Sequence, residues 1–192
     1  MRLGLTQDQQ QIPMRSASDI MPPPTAAPTT KEIPYDYVAR FTLKGERSNR
    51  VQDVINISIE GAFVAVAIGY SFIPPPPNPN PVIILLSTDD GPKPRVIDFK
   101  YSIVDSGSGR ELQNRPIHNI AGLGEASGKR PFRPLAKPML FMPRSTIRIE
   151  IEEISVGDMY GYEDATTKQR VGAELFIVLH GYKILGYGTG LP

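Results

Sequence analysis

The sequence predicts an all-β fold, an antiparallel β-sandwich of jelly-roll or Greek-key type with an extended N-terminal arm. Segments such as residues 37–43 and 146–153 alternate apolar and polar side chains, which is typical of strands with one solvated face. Turns rich in Gly, Pro, Asn and Asp separate about seven or eight such segments. The crossover helices of a parallel α/β fold are missing. The chain has no Trp and no Cys, which argues against an immunoglobulin-like sandwich.

The arm is predicted to comprise residues 1–34, outside the core. Its prolines fix φ and donate no backbone N–H, so this stretch forms neither a helix interior nor a central strand. The portion MPPPTAAPTT favours extended polyproline II. Pro22, Pro23 and Pro24 are therefore candidate contacts with a neighbouring subunit, and a tail without a role is the alternative.

The sandwich domain is predicted to span residues 35–185. Residues 61–72 are apolar on both faces, which indicates one central strand or two strands meeting at Gly69. One short helical turn is expected within residues 120–129, and residues 186–192 form a glycine-rich tail. The remaining strands are expected at residues 53–60 (with Ile55, Ile57 and Ile59 on one face), 82–86, 96–104, 146–153 and 173–182.

A second proline-rich segment, PPPPNPNP at residues 74–81, interrupts the domain. A run of four prolines does not fold back as a tight hairpin, because proline restricts both itself and the residue before it. We expect a rigid loop that projects from one edge of the domain. Pro75 and Pro76 are candidate interface residues in this loop.

The charge balance restricts the partners of the protein. The chain has 21 basic and 20 acidic residues, a formal net charge of +1, so we do not expect nucleic acid, whose binding needs a surplus of Lys and Arg. The longest apolar run, residues 61–73, is interrupted by Gly69, Tyr70 and Ser71, whereas a spanning helix needs about 20 apolar residues. The N-terminus lacks the apolar segment of a secretory signal. We therefore expect no membrane association and synthesis in a cytosol.

No motif in the sequence indicates catalysis or a cofactor. Cysteine is absent, and the two histidines, His118 and His180, have no metal-ligand spacing. The sequence contains neither a nucleophile elbow nor a phosphate-binding loop. Glu150 and Glu152 share one strand face, where Arg148 is their expected partner. The chain is therefore predicted to be no enzyme and to need no cofactor or metal.

One local excess of basic residues lies in the segment from Lys129 to Pro138. Three of its side chains, Arg130, Phe132 and Arg133, are of types common in protein interfaces. With Lys137 they form a candidate contact region. A solvated surface is the alternative interpretation.

The chain resembles small virion structural proteins of tailed bacteriophages over roughly residues 35–185. The pattern R-P-F-R-P-L-A-K-P at 130–138 and the segment F-M-P-R-S-T-I at 141–147 carry this likeness, with Glu152-Glu153 and the closing strand E-L-F-I-V-L-H-G-Y-K at 174–183. The resemblance implies a capsid accessory, neck or tail component. Such a protein assembles into a symmetric homo-oligomer and contacts other virion proteins. The resemblance implies no catalytic residue in this chain. Its place would be the virion, assembled in the host cytoplasm.

A carbohydrate- or receptor-binding module on the same sandwich is the alternative function. Such modules present exposed aromatic rings as stacking platforms. The chain has no Trp, and several tyrosines cluster late in the sequence beside glycine. An exposed pair formed by Tyr160 and Tyr162 would favour this alternative.

Overall fold

Two antiparallel sheets pack face to face in the computed structural model, which describes residues 30–78, 97–123 and 132–186. This arrangement confirms the all-β sandwich. The elements are β1 (Lys31–Thr42), β2 (Arg50–Asn56), β3 (Gly61–Ile73), β4 (Phe99–Asp105), β5 (Arg110–Glu111), β6 (Ile117–His118), α1 (Asn119–Gly122), β7 (Phe132–Phe141), β8 (Thr146–Glu153), β9 (Gly161–Glu163), β10 (Arg170–Gly172) and β11 (Glu174–Leu185).

The strand order is that of a jelly roll. Sheet A has the order β1-β11-β3-β7, and sheet B has the order β2-β8-β4-β5, with β6 also paired to β4. Strands β9 and β10 form a small separate pair. The first main strand thus pairs with the last, the second with β8, the third with β7 and the fourth with β5. Such nested pairing, folded over into two sheets, is the double Greek key of a jelly roll.

The core lies between the inner faces of the two sheets. Ile147, Ile149 and Ile151 of β8 are fully buried, as their alternation with polar residues predicts. Sheet A presents the matching row of Leu175, Ile177 and Leu179 on β11. Aromatic side chains fill the space between these rows: Phe63, Phe99, Phe141 and Tyr70.

Strand β3 is one continuous strand between β11 and β7, which resolves the choice between one strand and two. Its register on β11 shifts between His180 and Gly181, a β-bulge that bends the sheet locally. A Cβ added at Gly181 would lie 1.9 Å from the carbonyl oxygen of Val64. Glycine is therefore required where the two backbones approach each other.

Several predicted boundaries differ from the structure. Strand β1 begins at Lys31, so the last residues of the predicted arm belong to sheet A. Pro34 fits there because β1 is an edge strand, where a missing N–H costs no ladder bond. Strand β2 ends at Asn56, and Ile59 is 52% exposed because the chain turns there.

Several other predictions lie partly or wholly outside the described residues. The arm up to residue 29, the strand at 82–86 and the tail from residue 187 are among them. The expected helical turn is present as α1, although residues 124–131 beyond it are outside the described part. Strand β11 continues to Leu185, three residues past the predicted end.

A buried carboxylate holds the β1–β2 connection in place. Glu153, the last residue of β8, is only 3% exposed. Its side-chain oxygens accept hydrogen bonds from the backbone N–H groups of Lys44 (2.9 Å), Gly45 (2.8 Å) and Glu46 (3.3 Å) and from the amide of Asn49. Hydrogen bonds to an ionised acceptor are stronger than neutral ones, so Glu153 fixes the path between the two sheets.

Candidate interaction surface

The outer face of sheet A is largely apolar, although it points away from the core. Val38 is 51% exposed and Leu140 is 47% exposed. Between these edge residues, the face continues across β11 and β3. We define face A by the residues on the outer side of sheet A: Pro34, Asp36, Val38, Arg40, Phe176, Val178, His180, Tyr182, Ala62, Val64, Ala67, Gly69, Phe132, Pro134 and Leu140. Its four β3 members, Ala62, Val64, Ala67 and Gly69, are buried.

Two stacked rings span β3 on face A. The rings of Phe132 on β7 and His180 on β11 stack with centroids 4.9 Å apart and an interplanar angle of 29°. They reach each other over β3 because Ala67 and Gly69 are the β3 residues between them. The Nδ1 atom of His180 lies 2.6 Å from a carboxylate oxygen of Asp36. The central polar group of the face therefore has a partner on the same face.

The charged residues of face A lie at its margin. The Arg40 guanidinium donates to the carboxylate of Glu174 and lies 5.9 Å from the centroid of the Phe176 ring. A cation over an aromatic face is attracted by the ring quadrupole. These contacts pair the charges at one corner of the face.

The outer face of sheet B has the opposite character. Glu152 on the central strand β8 pairs with Arg50 of β2 at 3.0 Å and with Lys100 of β4 at 3.2 Å. Glu150 lies 4.0 Å from Arg50. The hydrogen bond from Lys100 is the main reason that the pKa of Glu152 is lowered. Cations from the neighbouring strands, and not the predicted Arg148, are the partners that these contacts give Glu152.

The structure separates the residues predicted as an interface. Pro22, Pro23, Pro24 and Arg130 lie outside the described residues. Pro75 is buried within the chain and Pro76 is exposed, so the two neighbours do not form one contact surface.

The basic segment is also divided by the alternation of β7. Phe132 lies on face A, whereas Arg133 pairs with the inward Ile68 and its guanidinium donates to the carbonyl oxygen of Ala121. Lys137 is exposed. Phe132 is therefore the member of this cluster that the structure brings into face A.

A cavity of about 170 Å³ opens beside Arg133 at the edge between the two sheets. Burial raises the pKa of the Tyr101 hydroxyl in its wall, and the charge of Arg133 opposes this shift. Ligand pockets usually measure about 300–1,000 Å³, so the cavity is small for a drug-sized molecule. Its volume suits a single side chain.

The two histidines lie in different sheets, each beside its own carboxylate. His118 of sheet B has its Nε2 3.7 Å from Asp98, whereas His180 of sheet A contacts Asp36. Among the described residues, no cluster of three or more His, Asp or Glu side chains could hold a metal ion. The single described helix, α1, is too short to cross a membrane.

Sequence reasoning missed face A. Strands β3 and β11 are apolar at both odd and even positions, and this pattern predicts a strand covered on both faces. In the described part of the chain, no second layer lies on the outer side of these strands. The missed residues that matter most are Val38, Val178, His180 and Tyr182.

Comparisons with known proteins do not assign the chain to a family. No protein-family model matches it, and no curated protein matches it. A crystal structure of a protein from Sulfurospirillum deleyianum aligns with 77% of this chain and 98% of that chain, at 9% sequence identity and a TM-score of 0.35. A likeness this distant carries no argument about fold or function.

Proposed function

We propose that this chain is a non-enzymatic structural protein of a bacteriophage virion, a capsid accessory, neck or tail component that works by assembling into a symmetric oligomer. The observation that carries the proposal is the apolar outer face of sheet A. Val38 and Leu140 are about half exposed at its two edges, whereas Val64 and Ala67 between them are buried. Exposed apolar surface costs free energy in water and marks contact sites on proteins. The jelly roll adds general support, since viral capsid domains use it, although lectins and cupins do as well.

The mechanism is burial of surface between subunits. Face A supplies apolar and aromatic side chains, and its charged groups are paired within the chain. The net charge of +1 opposes association very little, because self-repulsion grows with net charge. Residues 1–29 precede β1, the edge strand of sheet A.

The alternative, a carbohydrate- or receptor-binding module, has weaker support. Tyr162 is buried and Tyr160 packs against Phe72 with ring centroids 5.8 Å apart. An exposed stacking platform would need both rings free. A glycan array with hits that Tyr160→Ala abolishes would favour this alternative.

Light scattering of the full chain tests the proposal. We expect a discrete oligomer at micromolar concentration, and a protein that is monomeric at millimolar concentration would contradict it. A truncated variant for comparison with the full chain should begin at Thr30, because a deletion through residue 34 would remove part of β1. Labelling of purified phage particles with an antibody to the sandwich tests the virion assignment, and unlabelled particles would count against it.

A further inference from the structure

We infer that face A is the self-association surface, on which a second copy of the chain docks with its own face A. This inference rests on the proposed function and specifies it, since it names the surface and the partner. Its members come from β1, β11, β3 and β7, and they form one continuous side of the sandwich.

A second copy could instead add a strand to an edge of sheet A, but both edges are unsuited to strand addition. The N–H of Arg40 donates to the Asp53 carboxylate at 2.8 Å, so it points away from β11. Backbone direction alternates along an antiparallel strand, so Pro34, an even number of residues away, faces the same open edge. Proline has no N–H to offer there.

The other edge is interrupted as well. On β7 the pairing with β3 jumps from Pro134 to Met139, and Pro138 lies inside the gap. A partner strand would find neither a continuous ladder nor a full set of donors. A partner therefore gains more from the face of sheet A than from its edges.

The area of face A fits a pair of copies. Neighbouring strands lie about 4.8 Å apart and outward side chains about 6.8 Å apart along a strand, which gives a face of roughly 500 Å². Two such faces would bury about 1,000 Å², the lower bound for a specific interface. Sheets that pack face to face also need interlocking large and small side chains, and the Phe132–His180 ridge beside Ala67 and Gly69 provides both.

The charges of face A favour a copy of the same chain over a charged partner. Arg40 is paired with Glu174, and Asp36 is paired with His180. A strongly acidic partner would find the Arg40 guanidinium already paired with Glu174. A second face A brings the same internally paired groups, so like-on-like contact meets little repulsion.

Two valines provide a matched test. Val38 on β1 is 51% exposed on face A, and Val54 on β2 is 46% exposed on the outer face of sheet B. Both lie on edge strands, so Val38→Glu and Val54→Glu impose the same change on opposite sides of the molecule. Sedimentation velocity of the full chain should show at least a 100-fold weaker association for Val38→Glu and less than a twofold change for Val54→Glu. Circular dichroism should show that both variants are folded.

Cross-linking identifies the occupant. The chain has no cysteine, so Val178→Cys places a single thiol near the middle of face A. Oxidation should give a covalent dimer of Val178→Cys and none of Val54→Cys. If Val38→Glu weakens association but Val178→Cys forms no dimer, the occupant is something other than face A of a copy, such as residues 1–29, and the inference is wrong.

The remaining outcomes separate this inference from the proposed function. An oligomer that Val38→Glu leaves intact would overturn the inference and leave assembly standing. A full chain that is monomeric at millimolar concentration would overturn both. An oligomer that Val54→Glu disrupts as strongly as Val38→Glu would move the interface to sheet B and also overturn the inference.

Discussion

The outer faces of sheets A and B differ in how their side chains are satisfied. On sheet B, Glu152 has cations from two neighbouring strands, and these cations are partly exposed to solvent. On sheet A, Val38 and Leu140 are about half exposed and gain nothing from water. Ion pairs at a surface contribute little when further buried, because their desolvation offsets the attraction, whereas apolar side chains gain in proportion to the area buried. This contrast is the reason that we propose sheet A, and not sheet B, as the side that contacts other molecules.

The largest expected effect comes from Glu153, the acidic residue of β8 that is buried. Glu153→Gln should lower the free energy of unfolding by about 2–3 kcal/mol, because an amide nitrogen would face backbone N–H donors in a buried site. Chemical denaturation measures this change. Glu150→Gln on the same strand is the control, and an equal loss in both variants would show that burial of Glu153 is unimportant.

Strand β8 also shows how far sequence reasoning reaches. Ile147, Ile149 and Ile151 follow strict alternation, so their burial could be predicted from the pattern alone. The alternation also assigns Glu153 to the inner face, but a carboxylate there needs partners. Those partners are backbone donors of residues 44–46, more than 100 positions away in the chain. Nothing local in the sequence identifies them.

Face A could not be predicted for a related reason. A strand that is apolar at every position, such as β3, fits a sheet covered on both sides, and the sequence does not say whether the cover comes from the same chain or from a partner. Pro75 is buried whereas Pro76 is exposed, and nothing in a run of four prolines distinguishes the one that packs inward. The nested strand order likewise depends on long-range pairing, which left jelly roll and Greek key open.

Removal of the Phe132 ring from face A should have an intermediate effect. Phe132→Ala deletes the stack with His180, and we expect a loss of about 1 kcal/mol in the free energy of unfolding. Association should weaken about tenfold, since central aromatic residues dominate protein interfaces. Urea denaturation and sedimentation velocity measure the two effects. Lys137→Ala on the same strand is the control, and an equal effect of that variant would argue against a special role for the ring.

Neutralisation of Glu152 on the outer face of sheet B should have a small effect on stability. Glu152→Gln should cost less than about 1 kcal/mol, the usual contribution of exposed ion pairs, and should leave the oligomer unchanged. Because the pKa of Glu152 is lowered on folding, its contribution is present above the unfolded value, 4.5, and is lost as the pH falls through the folded value. The difference in the free energy of unfolding between wild type and Glu152→Gln should therefore be smaller at pH 3 than at pH 7. A difference that grows in acid would contradict this account.

Salt should change association least of all. Ionic strength screens contacts between exposed charges but not apolar contacts. Between about 0.1 and 1 M NaCl we expect less than a twofold change in the dissociation constant, measured by sedimentation. A steep weakening with salt would move the contact from face A toward the charged side of the molecule.

The proline at the open edge of β1 has a consequence for the size of any complex. Each addition to a free sheet edge leaves a fresh edge, so growth by that route has no natural end and leads to fibres. A contact between two sheet faces buries the same face on both molecules, so the complex is closed with two copies. Pro34 thus favours complexes of defined stoichiometry over open-ended polymers.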